Sequence, residues 1–381
     1  MKKLLMAVLA VLLCVGLLAC APAQQEAAPA VSESAESSAS ASEAAEASQP
    51  AADGEGKTFK IGFAQKTMDN PFFLALANAI QEEGEKRGWT VSVLDAKNSL
   101  ETEMANMETF VSQGMDLIFL NTIDSEGAIP EVQAATAAGI PVIELDSGIS
   151  PDAGVVTTVF SDNRGNGRKV GLYAATCYDE GETISSVILS GDKGNPGGED
   201  RRMGLFCGII EARAGLTEEE AWVEAEKFNQ ELTDNGKAFH EAANFEVLGQ
   251  GWAHWTADDG LPAMEDLLVA NPNINCVLGE NDNMLIGGME ALRAVDKLEQ
   301  VQMFAACDGQ KEALALIQQG TSYKASGENN PNKVAELGYQ IAEEILVEGK
   351  DPTSYPEESH TDAVAITPEN VDELYDPNAI F

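Results

Sequence analysis

From residue 59 onward the chain repeats one unit: a short apolar run, then a longer stretch with apolar side chains every three or four positions. Runs at 59–64, 90–94, 117–120 and 142–145 read as strands, and the patterns at 71–87, 100–113 and 127–138 read as helices between them. Ile61 and Phe63 alternate along the first strand, and Phe73, Leu74, Ala77 and Ile80 are expected on one face of the first helix. Gly88, Gly114 and Gly139 each fall just past a helix, where a left-handed residue ends it. Strands alternating with helices of this length build βαβ units and a parallel sheet.

A run at 155–160 leads into Ser161-Asp162-Asn163, and the alternation starts again. Strands are expected at 184–189, 245–248, 276–278, 303–306 and 323–325, with helices at 164–178, 200–214, 257–270, 283–294 and 309–319. Two such blocks imply an α/β chain of two Rossmann-like, doubly wound lobes. Residues 57–161 with 330–360 are expected to form the first lobe, and 162–329 with 361–381 the second. The charged stretch near 215–244, with Trp222, Ala225 and Phe228 on one face, reads as a helical excursion on the outer surface of the second lobe. The helix at 331–348, with Val334, Leu337, Ile341 and Ile345 on one side, suits packing back on the first lobe, and 362–366 reads as a short terminal strand.

The N-terminus fixes the compartment expected of these lobes. Lys2 and Lys3 precede an apolar run from Leu4 to Ala19, a secretory signal pattern. It ends Leu17-Leu18-Ala19-Cys20, which resembles a bacterial lipobox and makes Cys20 the expected lipidation site. Cleavage at an Ala-rich site downstream is the alternative. Residues 21–56 are almost entirely Ala, Ser, Glu, Gln and Pro, too poor in apolar side chains to build a core, and read as a disordered acidic tether. A net charge of −40 argues against a nucleic-acid partner, whose phosphates call for Lys and Arg. Neither Cys177, Cys207, Cys276 and Cys307 nor His240, His254 and His360 show metal-binding spacing, and no cofactor is expected.

Polar residues gather where strands end. In open α/β sheets ligands bind at the carboxyl ends of the strands. Asn70 follows the first strand within Asp69-Asn70-Pro71-Phe72-Phe73, Asn121 the third and Asp146 the fourth. In the second block Asn281 and Asp282 follow the strand ending at Leu278, Asp308 follows 303–306, and Glu328 and Asn329 follow the strand near Tyr323. Each taken singly suits a turn or a helix cap. Asn70 read only as a cap, with Phe72 and Phe73 as core, is the plain alternative to a ligand platform.

These residues and their order resemble the type I periplasmic binding proteins, and most closely the ribose-binding group. Leu120-Asn121, the run from Ile140 to Asp146, Ser161-Asp162-Asn163, the run from Gly279 to Met284 and Ala306-Cys307-Asp308-Gly309 carry the resemblance together with the turn at Asn70. It implies two lobes joined by three hinge strands that close on a sugar. By position it implies Asn70, Phe72, Phe73, Asn121 and Asp146 as ligand contacts of the first lobe. Arg202, Trp255, Asn281, Asp308 and Asn329 are implied for the second, with Arg201 as the alternative to Arg202. It also implies an ABC permease and ATPase as partners, a monomeric chain, and an extracytoplasmic place held to the membrane through Cys20. Two departures mark this chain: Ser147 stands where the ribose-type pattern has an arginine, and Trp255 where that group tends to have phenylalanine. A sugar or polyol therefore remains the expected ligand class, with ribose itself open.

Other classes fit less well. A receptor for a sugar-like signal, or a nucleoside-binding lipoprotein, shares the same features. An enzyme is not expected, since no Gly-x-Ser-x-Gly elbow or phosphate-cradling loop appears. A sugar-responsive transcription regulator calls for a basic helix-turn-helix where this chain has a signal and an acidic tether.

Overall fold

The computed structural model describes residues 58–381; the signal pattern, Cys20 and the tether at 21–56 lie outside the described residues. The first block runs β1 (Lys60–Gln65), α1 (Pro71–Lys86), β2 (Thr90–Asp95), α2 (Leu100–Gln113), β3 (Leu117–Asn121), α3 (Ile129–Ala137), β4 (Val142–Leu145) and β5 (Thr158–Ser161). The second runs α4 (Asn163–Thr176), β6 (Ile184–Ser190), α5 (Pro196–Ala214), α6 (Glu218–Asn235), β7 (Ala238–His240), β8 (Phe245–Trp252), α7 (Ala257–Ala270), β9 (Cys276–Gly279), α8 (Asp282–Ala294), β10 (Gln302–Asp308), α9 (Lys311–Gln318) and β11 (Tyr323–Glu328). The chain ends with α10 (Pro331–Leu346), β12 (Glu358–Thr361), β13 (Ala365–Ile366) and α11 (Val371–Leu374).

Two sheets result. One is fully parallel in the order β12-β5-β4-β3-β1-β2, and the other runs β13-β11-β10-β9-β6-β8-β7 with only the edge strands β13 and β7 antiparallel. In each sheet the winding reverses once, between β1 and β3 and between β6 and β9, which is where such sheets open a crevice for ligands. The chain crosses between sheets three times, after β5, after β11 and after β12. Asn166 ties these crossings together. Its Nδ2 donates to Ser161 Oγ at 2.8 Å and to the Glu328 carbonyl at 2.6 Å, while its Oδ1 accepts from Val364 N at 2.7 Å.

Local chemistry sets the elements. Asn70 caps α1 by accepting from Phe72 N at 2.8 Å, and Pro71 takes the first turn, where its missing N–H is no loss. The buried face of α1 is Phe72, Leu76, Ala77, Ala79, Ile80 and Gly84. Leu74 is exposed, because the i, i+4 row from Phe72 sets the phase and turns Leu74 outward. The second lobe's central helices meet through a glycine seam. A Cβ on Gly171 would come within 2.4 Å of the Leu205 carbonyl, and one on Gly208 within 2.1 Å of the Arg168 carbonyl, so α4 and α5 pack backbone to backbone.

The insertion is less of an excursion than expected. Ala221, Ala225, Phe228 and Leu232 of α6 belong to the same core as β6, β8 and α5, and Phe228 stacks on Phe245 at 4.9 Å. Trp222 stays at its edge, under the Arg164 guanidinium. Cys207, Cys276 and Cys307 are buried free thiols.

Candidate ligand-binding cleft

The carboxyl ends of both sheets face one cleft of about 960 Å³. Asn70, Phe72, Phe73, Asp146, Trp255, Asn281, Asp308 and Asn329 all line it. Asn121 and Arg202 do not.

On the first-lobe wall Phe72 is mostly core, edge-on to Phe73 at 5.6 Å and to Phe381 at 5.2 Å, whereas Phe73 turns to the cleft. Lys66, directly after β1, carries its Nζ 4.3 Å from the centre of the Phe73 ring and donates to Ser147 Oγ at 2.7 Å. Burial lowers the Lys66 pKa, opposed by the charges of Asp146, Glu144 and Glu103. Asn121 lies beneath this group, fully buried at the end of β3, where its Nδ2 donates to the Leu145 carbonyl at 2.5 Å and to Ser147 Oγ at 2.7 Å. It is corrected from contact to support: the side chain braces the turn that carries Asp146 and Ser147. Glu144 sits deeper still. Burial, with Asp146 adding repulsion against a backbone hydrogen bond from Gly148, pushes its carboxyl up to about 8. Its Oε1 accepts from Ser147 N at 3.1 Å, and its Oε2 has no hydrogen-bond partner among the described residues.

On the second-lobe wall the arginine is Arg201. Its Nη1 donates to Asp308 Oδ1 at 3.0 Å, its Nε donates to Asn163 Oδ1 at 2.8 Å, and its guanidinium carbon stands 5.7 Å from the Trp255 ring. Arg202 points elsewhere. It is buried against Glu280 and Asn229, bonding Glu280 Oε1 through Nη1 and Asn229 Oδ1 through Nε at 2.8 Å. The reason is helical phase: successive residues turn by about 100°, and the α4 seam leaves only one of the two arginines facing the cleft. Asp282 is fully buried, accepts from Tyr323 Oη at 2.5 Å and from the backbone N–H of Asp308 and Gln310, and supports the Asp308 turn from behind. Burial, with Asp308 nearby, pushes its carboxyl up to about 7. Burial also raises Asp308, against the pull of Arg201.

At the hinge Asn329 Nδ2 donates to Asp146 Oδ1 at 3.3 Å, joining a second-lobe strand end to a first-lobe one. Its Oδ1 is buried without a partner. Asn281 works as the cap of α8, accepting from Met284 N at 3.0 Å, and donates to the Trp255 carbonyl at 3.4 Å. Lys66 lines the cleft without being among the amides and carboxylates expected at strand ends, as do Arg164 and Asp192. The Lys66 position directly after β1 is a strand end, but its pairing with Ser147, 81 residues away, is visible only in the fold.

Residues 61–351 match the family described as the periplasmic binding protein domain. The ribose import binding protein of Bacillus subtilis is 29% identical over 301 residues, covering 78% of this chain and 85% of that protein. A crystal structure of an ABC transporter solute binding protein from Mycobacterium smegmatis with bound glycerol superposes with a TM-score of 0.66 at 25% identity, covering 85% of this chain and 99% of that one. A periplasmic solute binding protein from Actinobacillus succinogenes with bound D-allose gives 0.67 at 23% identity, over 83% and 100% of the two chains. With two wound lobes, three crossings and one cleft between them, the chain belongs to the type I periplasmic binding proteins, near the ribose-binding group.

Proposed function

We propose that this protein is a monomeric, lipid-anchored extracytoplasmic receptor that captures a neutral monosaccharide or polyol between its lobes and delivers it to an ABC importer. The observation that carries the reading is the composition of the cleft. Phe73 on the first wall and Trp255 on the second turn rings to the cleft, and each wall sets a cation near a carboxylate, Lys66 with Asp146 and Arg201 with Asp308. Rings suit the C–H faces of a sugar, and charged groups form the stronger hydrogen bonds to its hydroxyls. Because Lys66 and Arg201 each already have an anion near them, a neutral ligand fits better than a sugar acid. The unpartnered Asn329 Oδ1 adds an acceptor for a hydroxyl.

The relatives support the same class, through ribose import in one case and bound glycerol and D-allose in others. Ligand contacts to both walls favour a closed arrangement about the three crossings, which the permease then reads. Anchoring rests on Leu17-Leu18-Ala19-Cys20, and Cys20→Ala is expected to abolish acyl labelling.

Calorimetry of the purified protein against neutral pentoses, hexoses, inositols and sugar alcohols tests the reading. One or a few strong hits are expected. Binding only of nucleosides, or only of charged sugars, overturns the ligand class.

A further inference from the structure

Trp255 occupies an unusually constrained seat. It and His254 before it both adopt left-handed backbone, with φ of 64° and 41°, a region that a bulky side chain such as tryptophan seldom enters. One carboxylate in the loop after β6 meets both side chains: Asp192 Oδ2 accepts from Trp255 Nε1 at 3.0 Å, and Asp192 Oδ1 lies 2.6 Å from His254 Nδ1. The indole also lies against the backbone beside Asp192. A Cβ on Gly191 would stand 2.0 Å from Trp255 Cε2, and one on Gly198 would stand 2.8 Å from Trp255 Cη2. Two further bonds close the frame, Ala253 N to the Ser190 carbonyl at 2.8 Å and Asn281 Nδ2 to the Trp255 carbonyl at 3.4 Å.

We infer that Asp192 is a positioning residue that clamps Trp255 as a pure stacking wall, engaging its only side-chain N–H so that the indole recognises C–H faces and not hydroxyls. The inference rests on the sugar-receptor reading for its ligand, but the clamp itself is a property of the chain. Tryptophan has no acceptor and a single side-chain donor. With that donor held by Asp192, what Trp255 presents to the cleft is ring surface. Glycine at 191 and 198 belongs to the same device, since any side chain there would push the ring out of place.

The test uses the indole N–H resonances of the four tryptophans in ¹⁵N-labelled protein. W255F identifies the Trp255 signal. In D192A that signal is expected to shift and to exchange faster with solvent, in D192N to recover in part through the remaining acceptor oxygen, and in H254Q to stay in place. D-ribose, D-allose and myo-inositol are then titrated by calorimetry into wild type, D192A, W255F and the double variant. Whichever of them binds wild type is expected to bind D192A about five- to tenfold more weakly, a modest effect because the carboxylate is half exposed. In the W255F background D192A should cost nothing further, which is how a residue acting through another behaves. An unmoved Trp255 resonance in D192A overturns the inference, and so does an equal loss in both backgrounds. If wild type binds none of the wider sugar panel, the receptor reading falls by itself, while the resonance still decides the clamp.

Discussion

The two walls of the cleft are built on different electrostatic terms. On the second-lobe wall and in the layer behind it the main charged groups are closed off: Arg201 by Asp308 and Asn163, Arg202 by Glu280 and Asn229, Asp282 by Tyr323 and two backbone amides. On the first-lobe wall Lys66 makes one hydrogen bond out of three available, and Glu144 and Asn121 each keep a buried oxygen without a partner. The difference separates what holds a wall in shape from what a wall holds ready. Closed networks fix side chains before any ligand arrives, and breaking one leaves a buried charge behind. Of these open groups Lys66 lines the cleft, so its unused donors are available to a ligand, whereas Asn121 and Glu144 lie behind the wall.

The largest expected effect follows from the most buried pair. Arg202→Met removes the partner of Glu280, which lies fully buried between Arg202 and Gly191 N. A loss of about 3 kcal/mol or more in unfolding free energy is expected, by chemical denaturation at neutral pH. Burial already raises the Glu280 pKa, so the loss should shrink in acid as that carboxyl takes up a proton. Arg202→Met with Glu280→Leu should recover much of it. If Arg202→Met alone leaves stability unchanged, the second wall is not the closed network described.

Glu144 is the counterpart on the open wall, and its signature is a pH dependence. In the folded chain it keeps its proton up to about pH 8, against an ordinary value of 4.5. Between those values the folded state binds the extra proton, so this group makes stability fall as pH rises, by up to about 1.4 kcal/mol per unit. Glu144→Gln cannot ionise. Relative to wild type it should be near neutral at pH 4.5 and progressively more stabilising towards pH 9, in thermal melts across that range. A constant difference would mean that Glu144 ionises as readily in the fold as outside it.

How much of this was legible differs between the walls too. The strands were legible because buried strands of a parallel sheet are short apolar runs bounded by helices, and β1, β3, β4, β9 and β10 all are. β12 was not, because Glu358-Ser359-His360-Thr361 is polar and pairs only at a sheet edge, and three-residue β7 was too short to show. Acidic and amide residues at strand ends led to Asp146, Asp308 and Asn329, since topology alone carries strand ends to one edge. Helical phase was harder. From Met203 to Ile210 every residue of α5 is buried, so no polar face marks its rotation. The marker is the spacing of Gly204 and Gly208 opposite Gly167 and Gly171, which orients α5 and with it Arg201. Lys66 and Asp192 hydrogen-bond to partners 81 and 63 residues away, Ser147 and Trp255. No local pattern encodes such distances.

Arg201 and Lys66, two of the cations facing the cleft, sharpen the comparison further. Arg201→Met is expected to weaken sugar binding by about tenfold to a hundredfold, from loss of charge-assisted hydrogen bonds. Its stability loss should stay well below that of Arg202→Met, because Asp308 then faces the cleft and not the core. Calorimetry and melts on the two neighbouring variants make a direct contrast. Equal profiles for both would erase the distinction drawn from helical phase.

The smallest effect belongs to Lys66. Its ammonium is partly desolvated and holds one hydrogen bond, so the folded chain gains little from the charge. Lys66→Met is therefore expected to leave the melting temperature unchanged or slightly raised while weakening sugar binding about threefold to tenfold. Lys66→Arg restores the charge but brings a planar fork in place of a compact donor, and recovers affinity only in part. The informative ligand is a deoxy analogue lacking one hydroxyl of a sugar that binds. If Lys66 reads that hydroxyl, wild type discriminates against the analogue and Lys66→Met does not. Discrimination that survives in Lys66→Met would return Lys66 to a bracing role beside Ser147 and leave the first wall's open donors without a function in recognition.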